Sequence, residues 1–251
     1  MERIVLPPSV AGKSSTAKDP CIFESFAGDK VYVSGTPSFT ILTSGGQAFP
    51  SPVPTHYYKH THHDFLCIKG QLKVWLNDQC KILNPGDYAS VAPPYFLRNH
   101  TGPSAVLGGT AVCPYVTGAE SGNRYSLATL EGSNQFETQV LSGGIRFPDV
   151  DHCFFVSDGY LEATINDTDS SRIGPGEVAW LPAGTHFDIK PVSSYSKVFM
   201  YSQPGGLGDL VYAAGKDKPH TGLNCMIPDS PSPFDREKLS QYKSEFKFDL
   251  M

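Results

Sequence analysis

Half of the histidines in this chain lie within one short segment. Of the eight histidines, four occur within eight residues, as His56, His60, His62 and His63. Imidazole is a common ligand of Fe, Ni, Cu and Zn, and near neutral pH it can also accept or donate a proton. The segment therefore predicts a metal centre or a metal-free acid–base site. An exposed polar turn without chemistry is the third interpretation.

The spacing within this segment indicates which side chains could act together. Residues two apart on a strand share a face, so His56 and Tyr58 can point to the same side, and His63 can return to that side after a short turn. In the metal hypothesis, His56, Tyr58 and His63 are the ligands, with His60 or His62 as substitutes. In the acid–base hypothesis, His63 exchanges the proton with help from His56 and Tyr58. Taken individually, His60 and His62 are expected in an exposed loop.

Short runs rich in Val, Ile, Phe, Tyr and Thr recur between clusters of turn-forming residues, and helical periodicity is scarce. The chain also contains 24 glycines and 21 prolines. Many short strands with frequent turns indicate an all-β sandwich or barrel. Examples of the predicted strands are 30–34, 39–43, 65–68, 72–76, 88–91, 154–156, 161–165, 178–181 and 197–201.

One helix is predicted near the end of the sequence. It runs from residue 233 to about residue 246, because Phe234, Leu239, Tyr242 and Phe246 could share one helical face there.

An internal repeat divides the chain. Residues 65–78 read FLCIKGQLKVWLND, and residues 154–167 read FFVSDGYLEATIND. Each copy is followed by a Pro-Gly turn, NPGD at 84–87 and GPGE at 174–177. Each copy therefore predicts the same succession of strands and tight turns, in which glycine supplies positive φ. A tandem duplication is the simplest explanation, with a linker near residues 118–123.

These repeat units resemble the cupin superfamily. The family fold is a small antiparallel β-barrel, also called a jelly roll or double-stranded β-helix. Its motif histidines and glutamate point inward and usually bind one divalent metal. The resemblance spans roughly residues 20–215 and implies an all-β bicupin, with two tandem cupin barrels and a short C-terminal helix.

Within the superfamily, the sequence is similar to fungal quercetin 2,3-dioxygenases. The motifs that carry this similarity are HYYKHTHHDF at 56–65, continued by Cys67, Gly70 and Trp75, then PGDYASV at 85–91 and GGLGDL at 205–210. The similarity implies an N-terminal barrel with the active pocket at 1–118. It also implies a metal-free C-terminal barrel at 119–215 and a tail with a helix at 216–251.

The family ligands can be carried onto this sequence by anchoring on the motif glycines. Anchored on Gly70, the family glutamate falls at His63 and the paired histidines fall at His56 and Tyr58. Anchored on Gly86, the histidine of the second motif falls at Leu97. One family ligand is therefore kept, two are replaced by possible ligands, and one becomes an alkyl group.

The second copy of the repeat has fewer possible metal ligands at the same positions. The residues that fall on the family ligands are Ile145, Phe147, His152 and Phe187. Three of them cannot bind a metal. His152 has apolar neighbours in the motif and is expected to be a core histidine.

The resemblance predicts a small-molecule enzyme of secondary metabolism that acts on a phenolic or enolic, flavonoid-like or polyketide-like substrate. The leading hypothesis is a dioxygenase with one divalent Fe, Cu, Ni or Zn. The second is a metal-free isomerase, cyclase or dehydratase that uses His and Tyr. The third is a non-catalytic binding or storage bicupin. An apolar pocket wall is expected from Phe65, Cys67, Trp75, Tyr95 and Leu97.

Composition argues against other classes of protein. The net charge is −5 and no basic stripe is present, so a nucleic-acid partner is not expected. No apolar stretch reaches the ~20 residues of a membrane span, and the N-terminal apolar run is too short for a signal peptide. We therefore expect a cytoplasmic monomer or homodimer. The six cysteines contain no C-x-x-C pair and are expected to be free thiols.

Overall fold

The structure is a computed structural model in which strands dominate. It describes residues 21–24, 30–33, 40–43, 64–76, 78–91, 94–136, 143–166, 170–218 and 227–251. The general form of the fold prediction is confirmed, since the described residues are mostly β and include two short α-helices. None of the helices in these ranges is long and apolar enough to cross a membrane. The division into tandem barrels stays a prediction.

Twenty strands are present in the described ranges. In the first half they are β1 Cys21–Glu24, β2 Lys30–Val33, β3 Thr40–Thr43, β4 Asp64–Leu66, β5 Leu72–Leu76, β6 Gln79–Leu83, β7 Tyr88–Val91, β8 Pro94–Leu97, β9 Ala105–Leu107 and β10 Thr110–Val116. In the second half they are β11 Ser126–Gly132, β12 Ile145–Arg146, β13 Asp151–Asp158, β14 Leu161–Ile165, β15 Ser171–Ile173, β16 Glu177–Leu181, β17 His186–Pro191, β18 Ser196–Gln203, β19 Lys216–Asp217 and β20 Asp249–Leu250.

The strands form two large antiparallel sheets and three small ones. The eight-stranded sheet has the order β1-β16-β13-β18-β11-β10-β9-β19, and the five-stranded sheet has the order β15-β14-β17-β12-β20. The small sheets are β4-β7-β8, β5-β6 and β2-β3. The eight-stranded sheet therefore combines β1, β9 and β10 from before residue 118 with strands from after it.

The central strands of the eight-stranded sheet are buried on both faces. All seven residues of β11 are buried, as are six of the seven in β10. Successive side chains alternate between two clusters because strand side chains point to opposite faces. Leu130 and Met200 face the main core, which the five-stranded sheet shares, whereas Leu127 and Phe199 face Tyr88 of β7. We call the second group the inter-sheet cluster.

The sequence repeat is also a repeat of backbone conformation. Gly86 and Gly176 occupy equivalent Pro-Gly turns with φ of 85° and 87°, in the left-handed region that favours glycine. The Gly86 N–H donates to the carbonyl of Cys67 at 2.7 Å, and the Gly176 N–H donates to the carbonyl of Val156 at 2.9 Å. The turn glycines expected from the sequence are thus confirmed at both positions.

The predicted C-terminal helix is present as two shorter segments. A 3-10 helix spans Arg236–Tyr242, and α2 follows at Lys243–Phe246. Leu239 is buried in the main core, and the other three residues of the predicted apolar face, Phe234, Tyr242 and Phe246, pack against that core. The shared face inferred from spacing is therefore confirmed.

A further helix, α1 at Leu207–Ala214, is not foreseen by the sequence analysis. The Asp209 carboxylate accepts the N–H of Gly206 at 3.1 Å at its start, which satisfies a backbone donor that the helix leaves open. Leu207, Leu210 and Val211 are buried in the main core. The helix is preceded by two glycines, Gly205 and Gly206, which in the sequence indicate a loop rather than the start of a helix.

We predict that Leu239→Ala lowers the free energy of unfolding by about 2–5 kcal/mol, because the substitution leaves a cavity beneath the C-terminal segment. Lys238→Ala is the matched control, since Lys238 is exposed and should change stability by less than about 0.5 kcal/mol. Urea unfolding followed by fluorescence measures both. Equal effects of the two substitutions would show that this segment does not stabilise the core.

Candidate functional site

The residues predicted to carry the chemistry lie outside the described residues. These are His56, Tyr58 and His63, together with the possible substitutes His60 and His62. Their catalytic and metal-binding roles stay predictions. After β3, the described residues resume at Asp64, directly after His63 in the sequence.

Two of the five predicted pocket residues lie in one apolar cluster. Cys67 is buried with Val74, Leu76, Leu83 and Ala89, and Phe65 packs against this group; we call it the N-terminal cluster. Burial is the main cause that raises the pKa of the Cys67 thiol. The thiol is therefore neutral near pH 7 and contributes an apolar wall rather than a nucleophile.

The other three predicted pocket residues lie elsewhere. Trp75 is 63% exposed, with the ammonium of Lys73 5.3 Å from its ring, and Tyr95 is 41% exposed. Leu97 lies in the inter-sheet cluster because it pairs with Tyr88 across β7 and β8, and paired residues share a face. The pocket role of all five residues stays a prediction.

A group of tyrosines surrounds the carboxylate of Asp64. The hydroxyl of Tyr88 donates to Oδ1 of Asp64 at 2.8 Å, and the hydroxyls of Tyr88 and Tyr125 lie 3.4 Å apart. The ring of Tyr125 stacks on that of Tyr201, with centroids 5.7 Å apart. The sequence analysis missed this group because its members are up to 137 positions apart in the numbering.

The phenols of this group are held in the protonated form. Burial, followed by the charge of Asp64, raises the pKa of Tyr88 far above its ordinary value. Burial likewise raises the pKa of Tyr125 to about 12. Both hydroxyls therefore serve as hydrogen-bond donors near neutral pH, and they fix the carboxylate that follows His63 in the sequence.

In the second half of the chain, the four residues that fall on family ligand positions converge. Ile145 pairs with Phe187 across β12 and β17, and the ring of His152 lies 4.9 Å from Phe147 and 5.5 Å from Phe187 between centroids. Each of the four is at most 4% exposed. Aromatic rings therefore fill the place where the family site would lie.

His152 is a core histidine, as the sequence predicts. Its Nε2 accepts the N–H of Leu207 at 3.3 Å, and its other ring nitrogen is hydrogen-bonded to the backbone of Val150. Burial lowers its pKa to about 3. The imidazole is therefore neutral at physiological pH and links β13 to the start of α1.

No group of three or more His, Cys, Asp or Glu side chains in the described ranges is placed to hold a metal ion. The described position that corresponds to the second-motif histidine carries the alkyl side chain of Leu97.

Sequence comparison confirms the resemblance to a fungal quercetin 2,3-dioxygenase. No family model matches the chain. Quercetin 2,3-dioxygenase from Aspergillus japonicus is 29% identical over 135 residues, which are 51% of this chain and 38% of that enzyme. The chain thus covers well under half the length of the relative it matches.

Similar solved structures include a cupin domain and two other proteins. The Cnp3 cupin domain of Schizosaccharomyces pombe is 12% identical with a TM-score of 0.35, covering 54% of this chain and 88% of that one. A mutant oxalate decarboxylase OxdC of Bacillus subtilis is 15% identical with a TM-score of 0.33, covering 41% and 28%. The EutQ protein of Clostridium difficile is 21% identical with a TM-score of 0.30, covering 38% and 63%.

His152 predicts an acid-dependent loss of stability. Because its folded pKa is about 3 and that of an unfolded histidine is about 6.5, the unfolded chain binds an extra proton between these values. Stability should therefore fall as the pH drops below about 6.5, by about 2 kcal/mol between pH 7 and pH 5 from this residue.

The measurement is urea unfolding at both pH values for the wild type and for His152→Gln, whose amide oxygen can still accept the N–H of Leu207. The variant should lose about 2 kcal/mol less than the wild type over this interval. If His152→Gln lost as much unfolding free energy between pH 7 and pH 5 as the wild type, His152 would not be the buried neutral histidine described here.

Proposed function

We propose that this protein is an enzyme that acts on a phenolic or enolic small molecule, flavonoid-like or polyketide-like, by oxygenation of the kind that quercetin dioxygenases perform. The observation that carries the proposal is the 29% identity to quercetin 2,3-dioxygenase over half of the chain. The cluster of four histidines in residues 56–63 supplies the residue types that such chemistry needs.

The proposed site lies in the first half of the chain and uses His56, Tyr58 and His63. The second half supports this choice by analogy, because its residues at the equivalent positions converge around His152. The two copies share their Pro-Gly turns and the pairing of the strands that flank the central hairpin, β4 with β7 and β13 with β16, so the same convergence is expected of the first copy. The difference is chemical, since the second copy has Ile145 and Phe147 at the positions of His56 and Tyr58, whereas both copies have a histidine at the third position.

A divalent transition metal would be held by His56 and His63 with Tyr58, or with His60 or His62 as substitutes. When bound, such a metal activates an enol or phenol oxygen of the substrate and brings O2 close to it. Leu97 cannot contribute a ligand, so the protein would supply three donors and leave positions open. Phe65 and Cys67 would give the pocket an apolar wall that orients an aromatic ring.

The first experiment measures metal content and turnover together. Protein purified without chelator should contain close to one equivalent of Fe, Cu, Ni or Zn, and less than about a tenth of an equivalent would count against the metal. A panel of flavonols is then supplied with O2, and oxygen uptake is followed. We expect His56→Ala and His63→Ala to lower kcat/KM at least about 100-fold.

His186→Ala is the matched control for these variants, because His186 lies on β17 in the five-stranded sheet. It should leave turnover within about twofold of the wild type. Equal loss in all three variants would indicate a general effect on folding rather than a role in the site.

The alkyl side chain of Leu97 favours a second candidate, a metal-free isomerase, cyclase or dehydratase. In that case His63 would move the proton, and Tyr58 with His56 would hold the substrate oxygen. Full activity after exhaustive chelation, together with a loss of at least about 100-fold in His63→Gln, would favour this candidate. Binding of flavonols without any turnover would instead favour a non-catalytic binding or storage protein.

A further inference from the structure

Three charged or titratable side chains meet in a buried position between two parts of the chain. Nε2 of His100 lies 2.8 Å from Nζ of Lys197 and 3.1 Å from Oε1 of Glu131. Nζ of Lys197 lies 3.5 Å from the same carboxylate oxygen. The three side chains are only 7%, 7% and 1% exposed, in the order His100, Lys197, Glu131. We call this group the latch cluster.

The latch cluster ties residues 98–101 to the eight-stranded sheet. Glu131 and Lys197 are paired neighbours on β11 and β18 of that sheet, whereas His100 follows β8 of the small sheet. The ammonium of Lys197 also donates to Oδ1 of Asn99 at 3.0 Å. Two consecutive residues of the segment are therefore held by one lysine.

The backbone of the segment is in an uncommon conformation at the same point. His100 has a φ of 59°, which L-residues other than glycine rarely adopt, so tertiary contacts must hold it there. On the other side, Oδ1 of Asp87 accepts the N–H of Asn99 at 2.9 Å. The guanidinium of Arg98 also donates to the carbonyl of Ile82 at 2.8 Å, so the latch cluster is one of several attachments of this short segment.

Nε2 of His100 cannot serve both of its charged neighbours in one protonation state. An ammonium can only donate, so Nε2 must be an unprotonated acceptor when it bonds to Lys197. When Nε2 carries a proton, it can only donate, and Glu131 becomes its partner. Taking up a proton from water therefore breaks the bond to Lys197 and forms one to Glu131.

The charge balance decides which state is favoured in the buried position. With neutral His100, the positive charge of Lys197 and the negative charge of Glu131 balance. With protonated His100, two positive charges lie 2.8 Å apart beside one negative charge, and an uncompensated buried charge is costly. The ammonium of Lys197 must then move away from His100, which also breaks its hydrogen bond to Asn99.

We propose that His100 is an acid-sensitive latch that fastens residues 98–101 to the eight-stranded sheet while neutral and releases them when protonated. The release exchanges one hydrogen-bond partner of Nε2 for another and needs no other reactant than a proton from solvent.

Other titratable groups lie close to the latch cluster, and each has its own hydrogen-bond partner or a raised or lowered pKa. Burial and the charge of Glu131 raise the pKa of the Cys113 thiol on β10 to about 11. The hydroxyl of Tyr195 donates to Oε2 of Glu131 at 3.1 Å. Asp87 forms an ion pair with Arg98, and its pKa is lowered by the N–H groups of Asn84 and Asn99 and by Arg98, against the effect of burial.

The test is hydrogen–deuterium exchange of peptides that cover residues 98–103 at about pH 8 and about pH 5.5, corrected for the intrinsic pH dependence of amide exchange. In the wild type, protection should fall about tenfold in acid. In His100→Gln, the amide oxygen can still accept from Lys197 and is not protonated, so the fall should be less than about twofold. His186→Gln, which changes a histidine of the other large sheet, should behave as the wild type.

An equal loss of protection in His100→Gln and the wild type would overturn the proposal, as would no loss in the wild type. If His100→Gln shows no cooperative thermal unfolding, the variant is not folded and ring ¹⁵N NMR of the wild type tests the proposal instead. An unprotonated Nε2 at about pH 8 that becomes protonated by about pH 5.5 supports the latch. A protonated Nε2 at about pH 8, or no change between the two pH values, contradicts it.

Discussion

Every other feature of this molecule depends on a sheet that must be covered on both faces. The strands β10 and β11 have buried side chains on both sides, so each face needs its own apolar partner. One face packs in the main core with the five-stranded sheet and α1. The other face is covered by Tyr88 and its neighbours in the inter-sheet cluster. The first half of the chain is therefore a structural partner of the second as well as the proposed site of chemistry.

The interiors of the two copies of the repeat are lined by different side chains. In the second copy, Phe147, Phe154 and Phe187 surround a neutral His152, and the interior is a packed core. Among the described residues of the first copy, the N-terminal cluster is built around Cys67 and Ala89. The same turns at Gly86 and Gly176 are therefore compatible with different interior side chains.

Local signals in the sequence predicted the elements whose side chains alternate between a core and solvent or end at glycine turns. The strands 72–76, 88–91 and 161–165 have in the structure the bounds that the sequence indicates. The strands β10 and β11, in which nearly every residue is buried, are not among the examples that the sequence indicated. The helix α1 was missed because two glycines precede it.

In the candidate site, too, some features could be predicted from the sequence and others depend on long-range packing. Spacing and turn glycines assigned the family positions; the four assigned in the second copy converge, and His152 lies in the core as its apolar neighbours suggested. The assignment of His56, Tyr58 and His63 stays a prediction. The latch cluster could not be found from the sequence, because His100 and Lys197 are 97 positions apart and their contact depends on how two sheets pack. The Asp64 tyrosines were missed for the same physical reason.

The pairing of β1 with β16 has a consequence for how the molecule is made. Cys21–Glu24 form the edge strand beside Glu177–Leu181, so an early part of the polypeptide waits for a late one to leave the ribosome. Contacts between such distant segments close large loops and form slowly, and chains are synthesised at only about 5–20 residues per second. During synthesis, β1 must therefore avoid incorrect pairing for several seconds before β16 is available. An array of units that each fold independently would not have this delay.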